Sequence, residues 1–304
     1  MRFTHIVTLA ALSMMTGTAL AQGTDASFAI PSGRASLIYS GWGGPDLTVE
    51  TYRPENLPAD APVIFVMHGV NRNPDDYRDA WIELADACGL AIIAPGFDRN
   101  GFPGSSGYNL GEPLPGTDAV SAFDAIEPLF ATMRAGLGST RSGYSIFGHS
   151  AGAQFVHRFL MLTPDTHVEA AVVANAGWYT WPDTSVEWPY GFAGAPRTPL
   201  DPGVIAALPV TLLLGEADND PNASNLRQTP EARAQGAHRF ERGLNTAALV
   251  DRLAADAGLE HGWAVATVPG IAHDNTRMAP AAVRHLVPEH IYNTAACQLA
   301  TNGD

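Results

Sequence analysis

Ser150 stands at the centre of Gly148-His149-Ser150-Ala151-Gly152, the G-x-S-x-G pattern. The apolar run Tyr144 to Phe147 leads into it as a buried strand, and Ala151 to Leu162 leaves it with the spacing of an amphipathic helix. A serine between such elements sits on a tight turn that pushes its hydroxyl outward, and the flanking glycines leave room where a Cβ would strike backbone. The start of the helix adds free amides and a dipole that favour a developing negative charge. The chemistry suggested is nucleophilic acyl transfer, which needs a base to take the serine proton, an acid to orient that base, and donors for an oxyanion. Lysine chemistry is excluded, because all 17 cationic side chains are arginine; Schiff-base, pyridoxal-phosphate and P-loop enzymes each require a lysine.

The elements that must position these groups alternate along the chain. Ser36 to Ser40 and Leu47 to Arg53 read as entry strands. Pro62 to Met67, Leu90 to Ala94, Val168 to Asn175, Pro209 to Leu214 and Trp263 to Val268 read as further strands, several of them continuously apolar. Helical spacing covers Asp75 to Cys88, Asp118 to Met133, Thr229 to Ala257 and Thr276 to Leu286, while Pro95 to Thr117 and Gly177 to Pro202 read as loops. This alternation predicts an α/β fold with a mostly parallel central sheet and helices on both faces. No repeat or linker interrupts it, so residues 22–304 are expected to form a single domain.

In the α/β-hydrolase fold that such a turn implies, nucleophile, acid and base follow one another in the chain, each just past the C-terminal end of a strand. Thr211 to Leu214 runs into Gly215-Glu216-Ala217-Asp218, and Ala264 to Val268 runs into Pro269-Gly270-Ile271-Ala272-His273. Asp218 and His273 are therefore the expected acid and base. Glu216 and Asp220 share the acid's loop, and the sequence leaves Asp220 open as its alternative. Of the ten histidines, His273 alone combines chain order with a strand-end position. His68-Gly69-Val70-Asn71 follows the Pro62 to Met67 strand, where the fold places its second oxyanion donor, so the amides of Val70 and Ala151 form the expected pair. Trp178, Tyr179, Trp181 and Trp188 crowd the loop after Val168 to Asn175 and are candidates for an apolar or aromatic substrate pocket; packing the loop onto the sheet is their other reading.

Composition bounds the rest. Arg2, the apolar stretch Ile6 to Leu20 and Ala19-Leu20-Ala21 form the pattern of a signal peptide spanning residues 1–21, so the mature chain is expected to begin at Gln22 and to be periplasmic or secreted. No later segment reads as a membrane span. A formal charge of −14 with no basic stripe argues against nucleic acid as a partner. Cys88 and Cys297 lack C-x-x-C spacing and so give no metal site; a disulfide and a buried thiol both remain open. No cofactor is called for.

The segments H-G-V-N-R-N, D-D-Y-R-D-A-W, Y-N-L-G, G-H-S-A-G-A-Q and L-L-G-E-A-D-N-D-P resemble the bacterial α/β hydrolases grouped with polyhydroxybutyrate depolymerases and related feruloyl or acetyl esterases. The resemblance spans about Val63 to Met278 and implies ester hydrolysis with Ser150, Asp218 and His273 as triad, on a small-molecule or polymeric ester. A peptidase or acyltransferase of the same fold, and a non-catalytic binding protein, are the competing readings. No propeller repeats precede the core as they do in many such peptidases, and a binding protein of this fold usually lacks a triad member.

Overall fold

The computed structural model describes residues 29–117 and 119–302; the expected signal peptide lies outside them. Eight strands form one sheet: β1 (Gly33–Tyr39), β2 (Leu47–Arg53), β3 (Val63–Met67), β4 (Ala91–Gly96), β5 (Tyr144–His149), β6 (Val168–Ala174), β7 (Val210–Gly215) and β8 (Ala264–Val268). Their order is β1-β2-β4-β3-β5-β6-β7-β8, with β2 antiparallel to both of its neighbours, β1 and β4, and all other pairings parallel. The continuously apolar runs occupy the middle: every residue of β3, β4, β5 and β7 is buried.

Side chains of β3 alternate between two cores. Val63, Phe65 and Met67 face one with Phe155, Phe159 and Val250, while Ile64 and Val66 face the other with Trp81, Leu84, Met278 and Val283. Helices therefore cover both faces, as a parallel sheet requires. The first face carries α3 (Ile126–Leu137), α4 (Ala151–Leu162), α5 (Pro202–Ala206) and α7 (Arg239–Asp256); the second carries α1 (Pro74–Asp79), α2 (Ile82–Cys88), α8 (Asn275–Leu286) and α10 (Ala295–Thr301). Short helices α6 (Pro230–Gln235) and α9 (Glu289–Tyr292) complete the set.

Several helices depart from the periodic reading. The segment expected as one helix from Asp75 to Cys88 breaks at Ala80-Trp81, where the fully buried Trp81 ring plugs the second core against Phe147. The segment expected from Thr229 to Ala257 breaks at Gly236, whose φ of +150° no side-chain-bearing residue adopts readily. Helices α9 and α10 lie beyond the last expected one. The cysteine question resolves into a Cys88–Cys297 disulfide that ties α10 to α2.

Candidate active site

The strand order brings two loops together before any side chain is considered. From β4 the chain crosses over β3 to reach β5, so the sheet is built outward from β3 and β5 in opposite directions, and their C-terminal ends lie at a topological switch point, the crevice where open α/β sheets bind ligands. The segment after β3 is His68-Gly69-Val70, and the residue after β5 is Ser150. The loops after β7 and β8, carrying Asp218 and His273, project from the same edge.

Ser150 holds φ +59° and ψ −115°, a conformation costly for a residue with a Cβ. The surroundings enforce it. A Cβ on Gly148 would stand 2.3 Å from the Gly152 carbonyl oxygen, and one on Gly152 would stand 2.0 Å from that of Met67. Both glycines thus allow α4 to start hard against β3 and β5. The Ser150 amide donates to the Ala174 carbonyl (3.0 Å), anchoring the turn to β6.

His273 Nε2 lies 2.9 Å from Ser150 Oγ, and His273 Nδ1 lies 2.7 Å from Asp218 Oδ2. Asp218 is buried (6% exposed), and its other oxygen accepts from Arg239 Nη1 at 3.1 Å. The rival acids point elsewhere: Asp220 accepts from the Asn222 amide (2.8 Å), and Glu216 accepts from the Thr267 hydroxyl (2.8 Å). An imidazole held between hydroxyl and carboxylate in this way can remove the serine proton while the carboxylate balances the resulting charge.

Val70 and Ala151 border the cleft that opens on Ser150. Ala151 begins α4, where amides have no intrahelical acceptor. The β3 loop is fixed by groups that periodicity could not single out. Burial pulls the His68 pKa down to about 3, and the neutral ring makes two bonds, accepting at Nε2 from the Phe97 amide (3.0 Å) and meeting the Gly69 carbonyl at Nδ1 (3.0 Å). The Tyr108 hydroxyl donates to the His68 carbonyl (2.7 Å), and Arg99 donates to the Val70 carbonyl (2.8 Å). Arg72 ties the loop to the carbonyls of Phe97 (2.5 Å) and Gly104 (2.6 Å).

Two further residues escaped the sequence reading. Asn175, at the end of β6, accepts from the Gly215 amide (2.8 Å) and donates to the Ala272 carbonyl (3.0 Å), bracing the acid loop against the base loop. His149 is buried with its ring 4.6 Å from that of His273 and its Nδ1 3.3 Å from the Tyr77 hydroxyl. Burial first, then the neighbouring His273, holds the His149 pKa well below the usual range, so His273 faces an uncharged ring. Asn after a strand and His inside the pentapeptide were the available signals; neither is distinctive without the fold.

The aromatic loop turns mostly inward. Trp178 lines the cleft beside Ser150. Tyr179 is fully buried against His157, Trp181 packs on the core and donates from its indole to Thr246 (3.0 Å), and Trp188 packs on both the core and the Trp178–Tyr190 cluster. An aromatic pocket built from all four is thereby corrected to one ring, because the loop's other rings fill the space between it and the helices. The two halves of the cleft, about 380 and 350 Å³, share Val70, Ser150 and Asn225. Polar side chains predominate, with Asn71, Asn73 and Asn275 in the first and Asn109 and Gln154 in the second. Among the described residues no helix is long and apolar enough to cross a membrane.

No family model and no curated protein matches the chain. Solved structures do. Poly(aspartic acid) hydrolase-1 from Sphingomonas sp. KT-1 is 40% identical, with a TM-score of 0.78 over 83% of this chain and 98% of that one. LpqC, a poly(3-hydroxybutyrate) depolymerase from Bordetella parapertussis, is 33% identical, with a TM-score of 0.76 over 86% and 92%. FphF, a fluorophosphonate-binding serine hydrolase from Staphylococcus aureus, shares the fold at 17% identity, with a TM-score of 0.56 over 90% and 100%.

Proposed function

Because this chain belongs to the polyhydroxybutyrate depolymerase-like family of α/β hydrolases and is a carboxylic-ester hydrolase, we propose that it cuts its substrate through an acyl-enzyme on Ser150. The observation that carries this reading is the unbroken line Asp218–His273–Ser150, with contacts of 2.7 and 2.9 Å. His273 Nε2 takes the Ser150 proton as Oγ attacks the ester carbonyl carbon. The carbonyl oxygen becomes an anion between the amides of Val70 and Ala151. The tetrahedral intermediate collapses, the carbon–oxygen bond to the alcohol breaks, and His273 returns the proton to the departing alkoxide. Water then repeats the sequence on the acyl-enzyme, releasing the acid and restoring Ser150. Asp218 holds Nδ1–H towards itself throughout, keeping Nε2 free to accept.

The substrate class proposed is an aliphatic ester or short polyester, in keeping with the depolymerase named among its relatives and with a cleft open at both ends of the serine. We further propose that residues 1–21 are a signal peptide and 22–304 the mature single-domain enzyme, acting in the periplasm or outside the cell. The Cys88–Cys297 disulfide supports this reading, since such bonds persist in oxidising compartments. A panel of p-nitrophenyl esters from acetate to palmitate, run beside Ser150→Ala, tests the mechanism. Turnover by the wild type with a loss on the order of 10⁶ in the variant is expected; a variant that keeps most of its activity overturns the assignment.

A further inference from the structure

The half of the cleft bordered by Ala151 and Trp178 is unusual in its charge. Its lining includes Arg227 and Arg239 and contains no aspartate or glutamate, in a chain whose formal charge is −14. Behind Trp178 lies Arg158 of α4, fully buried, with its guanidinium 4.2 Å from the indole centroid. Arg158 donates to the Thr180 hydroxyl (2.7 Å) and to the carbonyls of Asn109 (3.0 Å) and Gln154 (3.2 Å), while its Nη2 has no partner. Arg242, also buried, spends its donors on the carbonyls of Gly236, Gly177 and Arg227, two of these residues flanking Trp178 in sequence or lining its half of the cleft.

Among the described residues, Arg158, Arg227 and Arg242 make no ion pair. Arg239 is neutralised by Asp218, yet its buried Nε also lacks an acceptor. Arg227 is exposed at the rim: its Nε donates to the Tyr190 hydroxyl (3.0 Å), its guanidinium stands 5.7 Å from the Trp178 centroid, and its terminal nitrogens make no bond. Burying a guanidinium without a counter-ion is costly in any fold. Two such groups, Arg158 against the Trp178 ring and Arg242 bonded to the carbonyl of the adjoining Gly177, together with Arg227 at the rim, leave a local positive field that the protein itself does not cancel.

We propose that this half of the cleft is a carboxylate subsite, and that the enzyme's substrates are esters carrying a free carboxylate close to the scissile bond. Arg227 receives that carboxylate at the rim, Arg158 supplies the field behind Trp178, and Arg242 adds to it from beneath the Gly177 and Arg227 carbonyls. A guanidinium offers two parallel donors to a carboxylate, which fixes orientation as well as charge. The inference rests on the Ser150 reading above and gives it a substrate class.

Two 4-nitrophenyl esters of adipic acid, one with the distal carboxyl free and one with it methylated, differ by a single charge at equal length. With the wild type, kcat/KM for the free acid is expected to exceed that for the methyl ester by at least about tenfold. Arg227→Gln should shrink that ratio by about 10- to 100-fold, with a circular dichroism spectrum and melting midpoint matching the wild type as evidence of folding. Arg227→Lys should retain part of it. A wild type that treats both esters alike or prefers the methyl ester refutes the subsite and leaves the esterase reading standing, as does a folded Arg227→Gln enzyme with an unchanged ratio. Failure of the wild type to turn over either ester overturns both readings.

Discussion

Replacing Asp218 by asparagine removes one charge and changes no volume, and the surroundings dictate how the amide must sit. Arg239 Nη1 donates to one oxygen of Asp218, and His273 Nδ1 meets the other. Arg239 has only donors, so the asparagine carbonyl is expected to face it and the amide NH₂ to face His273. Nδ1 then becomes an acceptor and the imidazole proton moves to Nε2, where it points at Ser150 Oγ and cannot accept from it. A wrong tautomer of this kind in a serine protease lowers turnover by about 10⁴, which at about 1.4 kcal/mol per decade is about 5.5 kcal/mol of barrier. The expected result for p-nitrophenyl butyrate is therefore a fall in kcat of about 10³ to 10⁴. Asp220→Asn, whose carboxylate caps a solvent-exposed turn, should stay within threefold of wild type. Asp218→Asn also breaks the buried ion pair with Arg239, so its melting midpoint must be measured alongside and the assay run well below it. A folded Asp218→Asn enzyme with more than a tenth of wild-type kcat refutes the assignment of the acid; loss of activity in Asp220→Asn with retention in Asp218→Asn reverses it.

Two further outcomes follow from burial and connectivity. The disulfide closes a loop with a sequence separation of 209 between Cys88 and Cys297; chain entropy alone gives such a link about 5 kcal/mol, so Cys88→Ala/Cys297→Ala should melt on the order of 10 °C lower. Its activity at 25 °C should be unchanged, since the pair lies near Ala61 and Arg141 at the opposite edge of the sheet from Ser150; an unchanged melting point would show that the bond constrains nothing. Acid should unfold the protein steeply, because burial depresses His68, His149 and His157, the first to about 3. Below about pH 6.5 the unfolded chain binds protons at these three sites before the folded chain does, down to about pH 3 at His68, so stability falls with falling pH by up to about 4 kcal/mol per unit while all three remain neutral in the fold. Urea unfolding at pH 7, 6 and 5 measures the slope, and a flat profile contradicts neutral burial of the three rings.

The elbow, the sheet and the placing of Ser150, Asp218 and His273 were legible because each leaves a local mark: a buried strand running into Gly-x-Ser-x-Gly, and polar residues placed just past other apolar strands. Ser150, His273 and Asp218 stand together as chain order implied. Asp218 was the expected acid with Asp220 left open beside it, and what settles the aim of their loop, the Asn175 bridge from a strand some forty positions earlier, was not legible. The two readings of the aromatic loop could not be separated for a related reason. A run of Trp and Tyr signals burial, but it does not say whether the rings are buried by the protein or by a substrate; Thr246 and His157, which hold Trp181 and Tyr179 inward, lie on helices distant in sequence. Helix breaks at Trp81 and Gly236 were invisible to periodicity because both residues keep the apolar or neutral pattern on either side.

The charge of the molecule and the charge of its cleft have opposite signs, and distance decides which a substrate feels. At physiological ionic strength the screening length is about 8 Å, so the acidic surface that makes up the −14 acts on a ligand only where the ligand touches it. Apart from Arg239, which Asp218 neutralises, the cationic groups beside the cleft are Arg227 at its rim and Arg158 behind Trp178, both within 6 Å of the Trp178 ring, with part of the intervening space filled by protein and screened less than bulk water. A bound carboxylate therefore meets an attractive field over the last few ångströms even though the whole molecule repels it weakly from afar. The same field lies beside the Ala151 amide and acts on the oxyanion as well as on the substrate's carboxylate. On the carboxylate-subsite proposal, the buried Arg158 and the exposed Arg227 on either side of Trp178 would serve binding and chemistry together, while hydrogen bonds to Thr180, Asn109 and Gln154 hold Arg158 in place without a counter-ion.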